Sequence, residues 1–436
     1  MRNAPEATSL AVLEMAQAGR FAEIRELFAP QLRAMVPAEA LQAGWAAELG
    51  RRGPVTSVGA PVIEPAGPGA GVVVKIPVTC ERGKLTLVVS VSDEGWLTGV
   101  QLAPASAAEP VRPWEPPAYA DPEKFDEHDV MVGSGPLAVP GTLSLPRQKG
   151  PRPAVVLLLG SGPLDRDETI GRNKPFKDLA WGLASRGAAV LRFDKVTRAH
   201  PSQVKKARDA TVAGEYLPDA VAAIRLLGRH PAVDAGRVFV AGHSMGGTVA
   251  PRVAAAEPSA AGLVILAGGA QPLHWAIVRQ ARYLASLDPE TSAASEPAID
   301  AITRQARLVD SPDLSSSTPA SDLPFGTPAS YWLDLRGYDP VAVAAALGKP
   351  ILILQGGRDY QATVAEDLAR WRAGLAHRPD VTIRVYDPDN HMFFPGTGTS
   401  TPAEYEPAQH VDPAVVADIA NWLTTAARNA APPQEH

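Results

Sequence analysis

One serine of this chain stands between glycines at the end of an apolar run, in Arg237-Val-Phe-Val-Ala-Gly-His-Ser-Met-Gly-Gly247. An alanine-rich helical pattern follows it. Gly-x-Ser-x-Gly in that setting predicts a strand, a sharp turn and a helix, with Ser244 at the apex and its hydroxyl presented as a nucleophile. An ordinary glycine-rich turn is the plainer alternative. The glycines have a steric reason to be there, because side chains at Gly242 or Gly246 would meet neighbouring backbone. Met245 contributes an N–H at the start of the helix, suited to stabilising an oxyanion.

A serine nucleophile needs a base, the base needs an orienting acid, and the oxyanion needs a second donor. Nine histidines compete for the role of base. His391 lies in Tyr386-Asp-Pro-Asp-Asn-His-Met-Phe-Phe394, a few residues beyond the last strand candidate, and is the expected base. His410 is farther from any strand end. His243, beside Ser244, is expected to point away and pack. The run Ile351-Leu-Ile-Leu-Gln-Gly-Gly-Arg-Asp359 reads as a buried strand entering a glycine turn that presents Asp359 as the acid; a helix N-cap is its plainer role. Asp389 is too close in sequence to approach the His391 ring from behind. For the oxyanion hole, Ala154-Val-Val-Leu-Leu-Leu-Gly-Ser-Gly-Pro163 places the N–H groups of Gly160 and Ser161 beside that of Met245. This loop lacks the Lys-Ser/Thr ending of a phosphate-binding loop, which argues against nucleotides. With no histidine or cysteine near it, Asp165-Arg-Asp-Glu168 reads as capping and salt bridges and not as a metal site. Asp194-Lys195 reads as a structural ion pair.

The elements that must hold these residues follow from the wider pattern. The 436 residues predict two domains, and 45% hydrophobic with 20% charged content describes a globular chain. A net charge of −6 argues against nucleic acid as a partner. The single cysteine, Cys80, forms no internal disulfide and no metal cluster. No window reaches 18 apolar residues and no secretory leader is evident, so no membrane span and a cytoplasmic location are expected. No cofactor or metal is called for. Residues 1–105 read as a small α+β domain with helical stretches at 10–28 (broken at Gly19-Arg20) and 38–49, then strands at 55–62, 71–79, 84–91 and 96–102. The proline-rich segment 106–124 reads as a stiff linker.

From residue 125 strands and helices alternate to about 430, which predicts a mostly parallel sheet covered on both faces, with ligands at the carboxyl ends of its strands. The alternation stops between Leu266 and Ile351. Residues 270–347 are therefore expected to form a helical cap over Ser244, with the Ser/Pro-rich run 311–324 as lid or loop. Its aromatics Trp275, Tyr283, Tyr331 and Trp332, with Tyr360 next to Asp359, are candidates for a substrate pocket, or else core. Gly-Ser-Gly-Pro-Leu occurs at 133–137 and again at 160–164; the first copy reads as a hairpin turn.

Residues 125–430 resemble the α/β-hydrolase superfamily, and within it bacterial serine hydrolases near the dienelactone-hydrolase and acyl-peptidase branches. The resemblance rests on Gly-Ser-Gly-Pro-Leu-Asp-Arg-Asp-Glu at 160–168, Arg-Phe-Asp-Lys at 192–195, Gly-His-Ser-Met-Gly-Gly at 242–247, Gly-Gly-Arg-Asp-Tyr-Gln at 356–361 and Asn-His-Met-Phe at 390–393. It implies an α/β fold with a Ser244–Asp359–His391 triad in that chain order. Residues 1–105 resemble a small domain with a roll like the nuclear-transport-factor fold. Two departures stand out. Many relatives open the oxyanion loop with His-Gly, whereas Leu159-Gly160 stands here, so the loop must be anchored differently. Dienelactone hydrolases use a cysteine nucleophile, and this chain has Ser244. The expected activity is hydrolysis of a carboxylic ester of a small molecule with an apolar part, through an acyl-enzyme. Thioester or peptide cleavage is a variant. Acyl transfer, cyclisation or acyl elimination with the same triad is a second class, and a binding protein with a dead site a third. The N-terminal domain is expected to pack near the cap or mediate homodimer formation.

Overall fold

A computed structural model of the chain describes residues 4–66, 71–105, 114–206, 210–287 and 289–429. The backbone divides into two compact units, Met1–Arg112 and Pro113–His436. No described helix is long and apolar enough to cross a membrane.

The first unit opens with helices Pro5–Gln17, Phe21–Glu26, Pro30–Met35 and Ala38–Arg52. Gly19, at φ +72°, breaks the first helical pattern as its sequence suggests. Five antiparallel strands follow: β1 Val55–Val58, β2 Val62–Pro65, β3 Val72–Cys80, β4 Gly83–Val91 and β5 Leu97–Pro104. Their order is β1-β3-β4-β5, with β2 also on β3. The run expected as one strand at 55–62 is therefore two, and Pro61, which has no N–H for the ladder, stands between them. Alternate residues of β3 (Val74, Ile76, Val78, Cys80) and β4 (Leu85, Leu87, Val89, Val91) are buried against Val12, Leu13, Phe21, Ile24 and Phe28.

The second unit carries an eight-stranded sheet. Its strands are β6 Phe125–Val132, β7 Val139–Pro146, β8 Arg152–Leu158, β9 Ala189–Phe193, β10 Val233–His243, β11 Leu263–Leu266, β12 Ile351–Gly356 and β13 Val381–Tyr386. The order is β13-β12-β11-β10-β8-β9-β7-β6. The first Gly-Ser-Gly-Pro-Leu segment joins β6 and β7, which pair antiparallel from Val132↔Val139 onward. From β9 to β13 every pairing is parallel. One apolar cluster lies on each face, which explains why β8, β11 and β12 are nearly unbroken runs of Val, Ile and Leu. After β8 the chain moves to β9 on one side, and β10 then returns to the other. The carboxyl ends of β8 and β10 thus flank a topological switch point, where sheets of this class hold their ligands.

Two segments differ from their sequence reading. Residues 106–113 of the expected linker lie outside the described residues, but from Trp114 onward the segment is strapped to the helix Pro175–Ala184. Trp114 Nε1 donates to Asp178 at 2.9 Å, its ring meets Trp181 edge-on at 4.9 Å, and Lys177 Nζ lies over it at 4.4 Å. The aromatic side chain supplies packing that proline content alone did not announce. The 311–324 run is a chain of turns that buries Leu314 and Leu323 in a small cluster with Ile277, Val309, Ala329 and Trp332. That cluster is the core of the inserted segment, whose helices are Leu273–Ser286, Pro289–Asp310, Ala329–Arg336 and Pro340–Ala346.

Candidate active site

Ser244 sits between β10 and the helix Met245–Ala256 at φ 53°, ψ −118°, a strained conformation for a side-chain-bearing residue. Its N–H donates to Leu266 O at 2.9 Å, which ties the turn to the end of β11. The glycines pay the steric price of that turn. A Cβ on Gly242 would lie 2.1 Å from Gly246 O, and one on Gly246 2.1 Å from Leu158 O.

Asp359 and His391 meet. His391 Nδ1 donates to Asp359 Oδ2 at 2.7 Å, with both side chains buried. Asp359 is held on every side: Oδ1 accepts from the N–H groups of Gln361 (2.7 Å) and Ala362 (3.0 Å), and Oδ2 also accepts from Gln355 Nε2 (3.0 Å). Two glycines let the acid and base loops touch, since a Cβ on Gly356 would lie 2.4 Å from Asn390 O and one on Gly357 2.6 Å from Asp387 Cα. The His391 loop is braced by Asn390, whose Oδ1 accepts from the N–H groups of Met392 (3.0 Å) and Phe394 (3.2 Å). Among the described contacts no hydrogen bond joins Ser244 Oγ to His391. In substrate-free sites this bond is often long. Asp389 does not bond the ring, and His410 is engaged elsewhere, with Asp178 at 3.1 Å.

His243 does more than pack. Its Nδ1 donates to Glu168 Oε1 at 3.0 Å and its Nε2 to His391 O at 2.9 Å. Both partners are acceptors, so the protonated form of the ring satisfies both contacts. Burial pulls its pKa down, but the Glu168 carboxylate outweighs that and holds it above the ordinary histidine value. His243 thus links the turn bearing Ser244 to Glu168 through one ring nitrogen and to the loop bearing His391 through the other.

The oxyanion loop requires a correction. Gly160 N–H, expected to face the acyl oxygen, donates instead to Glu168 Oε1 at 2.8 Å and is spent. Glu168, buried and at φ +54°, reaches back from the acidic run to take it. The N–H groups of Ser161 and Met245 have no protein partner among the described residues and stay available. Asp165, Arg166 and Asp167 cap and pair as expected, with Asp165 Oδ1 accepting from two amides, Arg166 bonding Asp194 and Asp167 bonding Arg192. Asp194 and Lys195 do not pair with each other. Lys195 instead bonds Glu215 at 2.9 Å.

The model for the serine aminopeptidase S33 hydrolase family matches residues 168–395, more than half of the chain. Esterase EstD of Thermotoga maritima is 38% identical over 346 residues, covering 79% of this chain and 77% of that protein. The chain belongs to this hydrolase family. Similar solved structures include an esterase of Pyrobaculum calidifontis, 19% identical with TM-score 0.44, covering 69% of this chain and 85% of that one. Est1E of Butyrivibrio proteoclasticus is 16% identical with TM-score 0.43, covering 68% and 98%.

In this S33-family hydrolase the expected pocket aromatics are scattered. Trp332 is fully buried in the core of the inserted segment, so the pocket reading is corrected there: a large apolar ring at that position fills the space between helices. Trp275 is also a tether, its Nε1 donating to Asp310 at 2.7 Å. Tyr331 is half-buried against the main apolar cluster. Tyr360 follows Asp359 and stacks on Tyr283 at 4.9 Å and 9°. The inserted segment is anchored on both sides of the site. Tyr338 OH donates to Thr248 O on the Ser244 helix at 2.7 Å, and Arg279 bonds Gln361 O and Asp367 beyond Asp359. Sequence reasoning missed Glu168, His243, Lys195 and Tyr216 as members of the site. For the first three, the only signal was their place inside the quoted motifs, His243 and Lys195 at or just beyond strand ends.

Proposed function

We propose that this hydrolase cleaves carboxylic esters through an acyl-enzyme on Ser244. The observation that carries the reading is the buried 2.7 Å bond from His391 Nδ1 to Asp359, which leaves Nε2 as the unprotonated base, in a loop bonded to the residue next to Ser244. His391 takes the Ser244 proton as the oxygen attacks the acyl carbon. The tetrahedral oxyanion is received by the N–H groups of Met245 and Ser161. His391 then protonates the departing alcohol, and water, activated by the same base, releases the acid. Similarity to a named esterase supports esters as the substrate class.

A fluorophosphonate probe should label Ser244 stoichiometrically, and Ser244→Ala should lower turnover by about 10⁶ by analogy with other serine triads. Folded protein that stays unlabelled at Ser244 would end this reading. In a panel of chromogenic esters, thioesters and aminoacyl amides, esters should turn over fastest.

A further inference from the structure

The oxyanion loop has no His-Gly opening, and the structure shows what stands in its place. Gly160 O points into a closed cluster. Lys195 Nζ donates to it at 3.0 Å and Tyr216 OH at 2.8 Å, and Lys195 Nζ also reaches Tyr216 OH at 2.9 Å. Both side chains are buried, and Glu215 faces the ammonium at 2.9 Å. The next peptide back is gripped as well: Gly160 N–H is taken by Glu168, and Leu159 O lies 3.1 Å from Tyr216 OH. Gly160 itself lies against the nucleophile, since a Cβ added to it would sit 3.4 Å from Ser244 Cβ.

Gly160 O and Ser161 N–H belong to one peptide group. In a trans peptide they point in opposite directions, so whatever fixes the oxygen also aims the N–H. We propose that Lys195 and Tyr216 are positioning residues of the oxyanion hole: by holding Gly160 O in the buried cluster they turn Ser161 N–H outward, toward the acyl oxygen of a substrate on Ser244. The ammonium at the oxygen end also polarises the peptide, which strengthens its N–H as a donor. Burial lowers the Lys195 pKa from its ordinary value, while Glu215 and Glu168 oppose that pull. The inference rests on the serine-hydrolase reading above and adds to it the device that orients the second donor.

Two variants test it, Tyr216→Phe, which removes one oxygen, and Lys195→Met, which removes the charge with little change of shape. Fluorophosphonate titration first counts the active sites in each preparation. Per titrated site, kcat for a chromogenic ester should fall roughly tenfold in Tyr216→Phe and by up to the order of 10² in Lys195→Met, with KM little changed; the 10²–10³ cost of deleting a donor is the upper bound. Affinity for a trifluoromethyl ketone, which forms an oxyanion on the serine, should fall by the same factor as kcat/KM in each variant. A kcat per titrated site within about twofold of the parent in both variants would overturn the proposal, as would a loss of activity without loss of ketone affinity. If one variant fails to fold, the other decides. If the parent protein is not labelled at Ser244, the serine-hydrolase reading fails and takes this one with it, whereas a labelled parent with unaffected variants removes only the positioning role.

Discussion

At the residue scale, both oxygens of Asp359 and Nδ1 of His391 already have hydrogen-bond partners, while Nε2 of His391 has none among the described contacts. Asp359 accepts four hydrogen bonds, so in the proposed reaction its carboxylate would not reorient as His391 takes up a proton. Asp359→Asn should keep the fold but present the wrong donor to Nδ1, and kcat should fall by about 10⁴, measured per titrated Ser244. The Glu168–His243 pair makes a prediction in pH. Glu168 raises the His243 pKa in the folded state, so the pair's stabilisation is full below the ordinary histidine value and fades as pH rises through the raised one. Glu168→Gln should therefore lower Tm more at pH 6 than at pH 9, as thermal melts across that range would show.

At the element scale, the strand–turn–helix around Ser244 leaves no room for a side chain at two of its glycines. Gly246→Ala would set a Cβ 2.1 Å from Leu158 O, which forces β8 and the Ser244 helix apart. The expected result is protein that is poorly folded or, if folded, not labelled by fluorophosphonate. The inserted segment is the other element with a testable role. Trp332 fills its core, so Trp332→Ala should cost about 3–5 kcal/mol of stability in denaturant unfolding. Relative rates over esters of different acyl length should change little, because the ring is buried in the segment's own core. Much of this scale was legible in sequence. Alternating runs announced the strands of the parallel sheet, and the break after Leu266 announced the insertion. The strap at Trp114 was not legible, because its partners Asp178 and Trp181 are some sixty residues away and nothing local marks the contact.

At the scale of the whole molecule, two units each carry their own apolar core, so unfolding should show more than one transition. Asp389 lies fully buried in the His391 loop, and burial followed by repulsion from Asp412 pushes its pKa up to about 7. The folded state then holds a proton that the unfolded chain has released between about pH 4 and 7, so stability falls as pH rises through that window and the penalty persists above it. Asp389→Asn, which mimics the protonated acid, should raise the Tm of the larger unit at pH 8, on the order of 5 °C, and change it little at pH 4. The transition of the smaller unit should not move.

The places of Ser244, Asp359 and His391 just beyond strand ends were readable one by one, since each follows an apolar run in the sequence. The alternation of strands and helices likewise determined the sheet, because hydrophobic periodicity is a local property of the chain. Only the tertiary structure decided which of the two N–H groups is already taken by a protein partner. Gly160 and Ser161 are equivalent in sequence, and the choice between them is made by Glu168, Lys195 and Tyr216, which converge from three separate segments on the two ends of one glycine. The same holds for Trp332, whose ring suits a pocket or a core equally well until its neighbours are in place. A hydrogen-bond direction is set by partners distant in the chain, and local pattern carries no record of them.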